Sequence, residues 1–322
     1  MGAVRKRISI LWVAVGVAVA MISPIFFTSS RRSFQVAGVV IPLLLVAIFV
    51  VLEGFFLRSD YLARWSKAHG VTVTSENGDV LLRYLRRGRA IRSTGAFVGL
   101  ATYNIWFAVT DQTNAGLGWV QATFGGYLLG AAIAEFWAFR PPSVARPSAT
   151  LAPRQISTYV PRVAVTLMRI TTVAILAFAA VWRFIPRGHP AFRGDRVPPR
   201  PDLTEALVWT GIAIMLAVLV EATARRIVRH PQPAVSDAFI EADDAIRSTA
   251  MHGLVGAGLA LQFGILSRQA GRWILATSGG DFHAGFWTIS MVCGVAAVFA
   301  WLHLGIDQKW VVRRTQREGI AA

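Results

Sequence analysis

The feature that most limits what this chain can fold into is a succession of apolar stretches, each about as long as a bilayer is thick. Crossing roughly 30 Å of hydrocarbon takes about 20 residues of helix. Windows at residues 8–28, 35–57, 91–110, 116–139, 163–185, 204–224, 249–266 and 285–305 meet that length, which makes eight. With 54% hydrophobic residues the bilayer is the expected solvent, and the fold class is an all-α integral membrane protein. The first window follows Arg5, Lys6 and Arg7; its apolar run is longer than a signal-peptide core, and no small-x-small cleavage site follows. It therefore reads as an uncleaved first span.

The net charge of +16 would suit nucleic acid binding, but the sidedness of the basic residues favours a membrane explanation. With the N-terminus inside, 23 of the 33 basic residues fall in cytoplasmic segments, 9 fall outside, and Arg169 lies within a span. The positive-inside rule then puts both termini in the cytoplasm of a multi-pass plasma-membrane protein. The arginine-heavy composition, 30 Arg to 3 Lys, fits a GC-rich bacterial genome. Cys293 is the single cysteine, so disulfide frameworks and cysteine metal clusters are excluded.

Self-similarity divides the chain. Ala90-Ile91-Arg92-Ser93-Thr94 recurs as Ala245-Ile246-Arg247-Ser248-Thr249, each copy where the third helix of a quartet begins. Glu53 and Glu221 occupy matching places near the cytoplasmic end of the second helix of each quartet, and Glu135 and His303 near that of the fourth. The expected architecture is two tandem four-helix repeats, residues 1–140 and 163–305, joined by a cytoplasmic linker at 141–162 and followed by a tail at 306–322. An even number of spans per half makes the repeats parallel, related by an axis along the membrane normal. Each half also carries a cytoplasmic helical hairpin, at about 58–90 and 225–246. In the first, Gly70 is the expected helix stop and Asp79 the cap of the next helix; in the second, Pro231 and Pro233 break the helix and Ser236 caps its successor.

The hairpins differ in charge. Arg83, Arg86 and Arg87 mark the first, and Asp237, Glu241 and Asp244 the second. These residues are candidates for docking a cytoplasmic protein, against the simpler expectation that the basic helix lies on anionic head groups and the acidic one is solvated. Within the spans, ionisable groups are costly and so attract a functional reading. Glu53, Glu135, Arg169, Glu221, His252 and His303 fall at similar depth and form a candidate polar layer in the inner leaflet. In it Arg169 is placed to neutralise Glu221. Snorkelling to the interface is the competing account.

Other chemistry finds little support. There is no Walker A, H-E-x-x-H, C-x-x-C or G-x-S-x-G motif, so any ATP-driven motor would be a separate chain. His252 and His303 raise bis-histidine haem ligation, but no second pair accompanies them. His189, Asp195, Asp281 and His283 are loop residues without metal-ligand spacing. No cofactor, metal or nucleic acid is expected. Gly95-x-x-x-Gly99 and Gly126-x-x-x-Gly130 are expected to let the third and fourth helices pack closely. The functional expectation is a transport protein, or the transmembrane subunit of a transporter driven by a partner such as an ATPase. The alternative is a membrane scaffold or sensor that recruits a cytoplasmic protein without transport or catalysis.

Overall fold

The computed structural model describes residues 59–75, 77–109, 118–138, 147–148, 155–185, 202–230, 232–233, 237–277 and 282–306. In chain order the elements are α1 (Ser59–His69), α2 (Gly78–Val109), α3 (Gly118–Ala138), β1 (Pro147–Ser148), α4 (Ile156–Tyr159) and α5 (Arg162–Val181). After these come α6 (Leu203–Arg229), β2 (Gln232–Pro233), α7 (Asp237–Ala276), α8 (His283–Ala300) and a π-helical turn, Trp301–Ile306. Among the described residues the regular structure is all-helical apart from the two-residue antiparallel pairing of β1 with β2. Four described helices are long and apolar enough to cross a membrane: α5, α6, α7 and α8 with its π turn. The described residues of the expected spans at 91–110 and 116–139 are helical, within α2 and α3, but neither helix is among those four. The expected spans at 8–28 and 35–57 lie outside the described residues.

Contacts divide the described residues into two compact units. The smaller holds residues 92–109 of α2 and 118–130 of α3. There the predicted glycine motifs meet: a Cβ on Gly95 would collide with the Gly126 carbonyl, one on Gly99 with that of Ala122, and one on Gly126 with that of Gly95. Backbone meets backbone at this crossing, which only glycine permits.

In the larger unit α5, α6 and α8 pack around α7. Its apolar window is the least hydropathic of the four (1.4, against 1.8 to 2.1) yet is 83% buried, while the others are at most 28% buried. That inversion is what lipid solvation predicts, because the most apolar surface belongs against acyl chains and small or polar residues belong between helices. Val173, Met215, Val218, Val292 and Phe299 accordingly face outward. A Cβ on Gly258 would stand 2.8 Å from Val220, so α6 and α7 cross closely there. Along α8, Ser267 donates to the Ser290 carbonyl (2.8 Å) and Ser290 returns the bond to the Ser267 carbonyl (3.1 Å). At one end of the bundle Trp182, Trp273, Phe178 and Phe286 form an aromatic cluster.

At the other end the two hairpins are interlocked. Gly70, with φ 67°, stops α1 as expected. The next helix begins slightly earlier than expected: α2 starts at Gly78, Asp79 lies in its first turn, and Asn77 precedes it. Trp65, Leu81, Tyr84 and Leu85 of α1 and α2 share one core with Ala242, Ala245 and Ile246 of α7. The linker joins this assembly as well, through the β1–β2 pairing and through Tyr159, whose hydroxyl donates to Asp244 (2.9 Å).

Candidate functional site

The interlocked hairpin end carries a dense buried polar network, and the second copy of the repeated pentapeptide is its centre. Arg247 is 0% exposed. Its Nε donates to Asp243 one helical turn back (2.7 Å), and its Nη1 donates to the carbonyls of Ile227 and His230 (3.0 Å to the latter). Those carbonyls end α6, where no intrahelical donor remains and the helix dipole is negative, so a cation there closes the helix electrostatically. Ser248 donates to the Tyr159 carbonyl (3.2 Å), tying the linker to α7. Thr249 accepts from the Trp65 indole (3.3 Å) and lies 3.2 Å from His69 Nε2, tying α1 to α7. Asn77, wholly buried, donates from Nδ2 to the carbonyls of Thr72 (3.0 Å) and Ala238 (3.3 Å), a second bridge between hairpins.

Two histidines belong to the same region. His69 Nδ1 is 2.8 Å from the Trp65 carbonyl, and His252 Nδ1 is 2.8 Å from the Ser248 carbonyl. A carbonyl only accepts, so each ring carries a proton on Nδ1, and Thr249 gives its own hydroxyl proton to the Ala245 carbonyl (2.9 Å). His69 also stacks on Trp65 with ring centroids 4.4 Å apart.

The predicted polar layer divides into separate environments. Glu53 lies outside the described residues. Glu135 is buried on α3 and accepts from the Tyr84 hydroxyl (3.0 Å). Arg169 and Glu221 do meet: Nη2 and Nε of Arg169 both lie 2.7 Å from Glu221 Oε1, and Arg225 Nη2 lies 2.9 Å from Oε2. This triad faces outward, its arginine side chains each 59% exposed. His252 is 1% exposed while His303, in the π turn, is exposed, so the two histidines stand in unlike surroundings. Of the docking candidates, Arg83, Arg86, Arg87 and Glu241 are exposed, and Asp244 is half-buried against Tyr159. Asp237 is the first residue of α7.

By hydropathy Arg268 and Arg272 belong in a loop. They lie on α7 instead, which continues to Ala276, and both grip Glu205 on α6 (2.8 and 2.5 Å). Arg268 also covers the Trp209 ring at 4.9 Å. Along the buried stripe of α7, Gln262 donates to Thr172 (2.8 Å), and Gln269 donates to the Ala206 carbonyl (3.2 Å) and Thr210 (3.1 Å). The amide oxygens of both glutamines find no partner among the described residues. Nor do those residues contain a group of three or more His, Cys, Asp or Glu able to hold a metal. Cys293 is buried.

The chain matches no protein-family model, no curated protein and no solved structure.

Proposed function

We propose that this chain is the membrane-embedded subunit of a transport system whose energy comes from a separate cytoplasmic partner. The observation that carries the reading is the continuity of α7. Its 40 residues make a rod about 60 Å long that joins the interlocked hairpins at one end to the Glu205 clamp at the other. A partner that moves the hairpins would therefore move the helix on which α5, α6 and α8 are packed. The buried Gln262 and Gln269, whose oxygens find no partner among the described residues, put polar groups along the inward side of that helix.

Positive-inside asymmetry assigns the hairpin end to the cytoplasm, with both termini on that side of a plasma membrane. The exposed Arg83, Arg86 and Arg87, together with Glu241 and Asp244, form the docking surface. Eight spans in two parallel repeats remain the organising scheme. It draws support from the two long helices, α2 and α7, that carry the repeated pentapeptide, and from the glycine-rich and serine-rich pairings of α2 with α3 and α7 with α8. The dense burial of α7 favours a second reading, a scaffold that uses the same surface to recruit a protein without moving a solute.

Copurification separates them. Full-length chain extracted in mild detergent is expected to bring down a nucleotide-hydrolysing protein, and R83E/R86E/R87E is expected to lose it. A partner without nucleotide hydrolysis would favour the scaffold, and a chain that comes down alone would count against both readings.

A further inference from the structure

We infer that the Arg169–Glu221–Arg225 triad, on the groove between α5 and α6, binds the phosphate of an anionic phospholipid of the inner leaflet. The inference is independent of the transport reading. It starts from where the triad sits. Arg169 is about 9 Å along α5 from Val163, and Glu221 is two turns of α6 before Arg229, so the antiparallel helices bring the three side chains to one height. The surrounding surface is apolar and outward: Val163, Leu167, Ile170, Val173, Ile214 and Val218 are all exposed. A charged cluster set in such a surface faces lipid rather than a packed core.

The triad is not neutral. One carboxylate serves two guanidinium groups and leaves a charge of +1 at a depth where an unmatched charge is expensive. Geometry shows which part of each arginine is spare. Arg169 turns Nε and Nη2 to Glu221 Oε1, and Arg225 turns Nη2 to Oε2, so each keeps N–H groups directed away from the carboxylate. Guanidinium forks match phosphate oxygens bidentately. Exposed Arg162 follows on the same face of α5, seven residues before Arg169 and so almost two turns nearer the head groups. Glu221 then acts as a spacer, drawing the Arg169 side chain toward the interface and holding the two forks apart. A lipid also satisfies the apolar surroundings, since its acyl chains would lie along the groove beneath the bound phosphate, which a free phosphate cannot do.

The test uses the full chain in neutral detergent, stripped of lipid and titrated in native mass spectrometry with phosphatidylglycerol, phosphatidylcholine or inorganic phosphate. Phosphatidylglycerol should be retained over phosphatidylcholine, with inorganic phosphate failing to displace it at equal concentration. Each basic charge near the surface changes anionic-lipid affinity by about fivefold. R169Q/R225Q should therefore weaken phosphatidylglycerol by roughly 25-fold, and R169K/R225K, which keeps the charges and loses the forks, should weaken it by less than that. E221Q separates this account from a purely structural ion pair: it raises the local charge to +2 and should tighten phosphatidylglycerol about fivefold, whereas a structural pair would weaken or leave it. Equal retention of both lipids, displacement by inorganic phosphate, or an E221Q chain that binds no more tightly would each overturn the assignment. Should the double variant fail to fold, E221Q alone decides.

Discussion

Replacing Arg247 with Met should destabilise the chain more than any exposed charge change, and the structure allows the size to be worked out. The guanidinium is fully buried, pairs with Asp243 and closes the last carbonyls of α6. Methionine fills much of the volume but donates nothing, so the carbonyls of Ile227 and His230 lose a charged donor and Asp243 loses its cation. Breaking a buried ion pair from one side costs about 3–5 kcal/mol. The Asp243 side chain keeps 11% exposure and hence some hydration, which places the expected loss near the lower figure, ~3 kcal/mol. For a 322-residue chain that corresponds to a fall in Tm of roughly 4 °C. The assay is thermal unfolding of detergent-solubilised protein, followed in parallel by trypsin cleavage after Arg229, where α6 enters its connection to α7. R247M should open that connection to cleavage. Adding D243N should cost less than the two single losses together, because the second change removes a carboxylate that no longer has its arginine. An R247M protein within about 0.5 kcal/mol of wild type would refute the reasoning, since that is what a surface substitution does.

Other outcomes follow from the same geometry. G126L inserts a side chain where α2 and α3 touch backbone to backbone, so it should cost at least about 1–3 kcal/mol and reduce detergent stability, whereas L129A on the exposed side of α3 should be nearly silent. N77A removes the side-chain bridge from Thr72 to Ala238 and should raise hydrogen exchange in residues 71–78 by an amount consistent with about 1–3 kcal/mol, leaving α8 unchanged. E221Q should leave the chain expressed and folded by size-exclusion in detergent, because the freed arginine side chains can extend to the interface; a loss of folded protein would show that the triad is needed to hold α5 against α6.

Much of the helical framework is legible from periodicity and length alone. The four helices between residues 162 and 304 that are long and apolar enough to span a membrane, the stop at Gly70 and the glycine crossing of α2 and α3 all follow from local rules that need no knowledge of the rest of the chain. The Arg169–Glu221 contact is legible too, since two opposite charges at one depth on neighbouring antiparallel helices have few other partners. What sequence reasoning misses is long-range. It leaves the hairpins as separate projections and the linker as a connection, because nothing in the composition of Trp65, His69, Asn77 or Tyr159 reveals a partner some 80 to 185 residues away. The one available signal is the repeated pentapeptide. In the sequence it marks duplication, whereas in the structure Arg247, Ser248 and Thr249 are the residues that hold α6, the linker and α1 to α7. Arg268 and Arg272 escape for a different reason: hydropathy ends a span at the first charges, but α7 continues past them because Glu205 of α6 pairs with both.

The most direct test is the sidedness of α7. Glu241 near its start and Phe282 just beyond its end are both exposed, and the native Cys293 is buried. Single cysteines placed at these two positions in a C293A chain, labelled in intact cells with a membrane-impermeant maleimide, should behave oppositely: F282C reacts from outside, and E241C reacts only after the membrane is opened. If both react from the same side, α7 does not cross the bilayer, and the link from a cytoplasmic docking surface through the membrane falls with it.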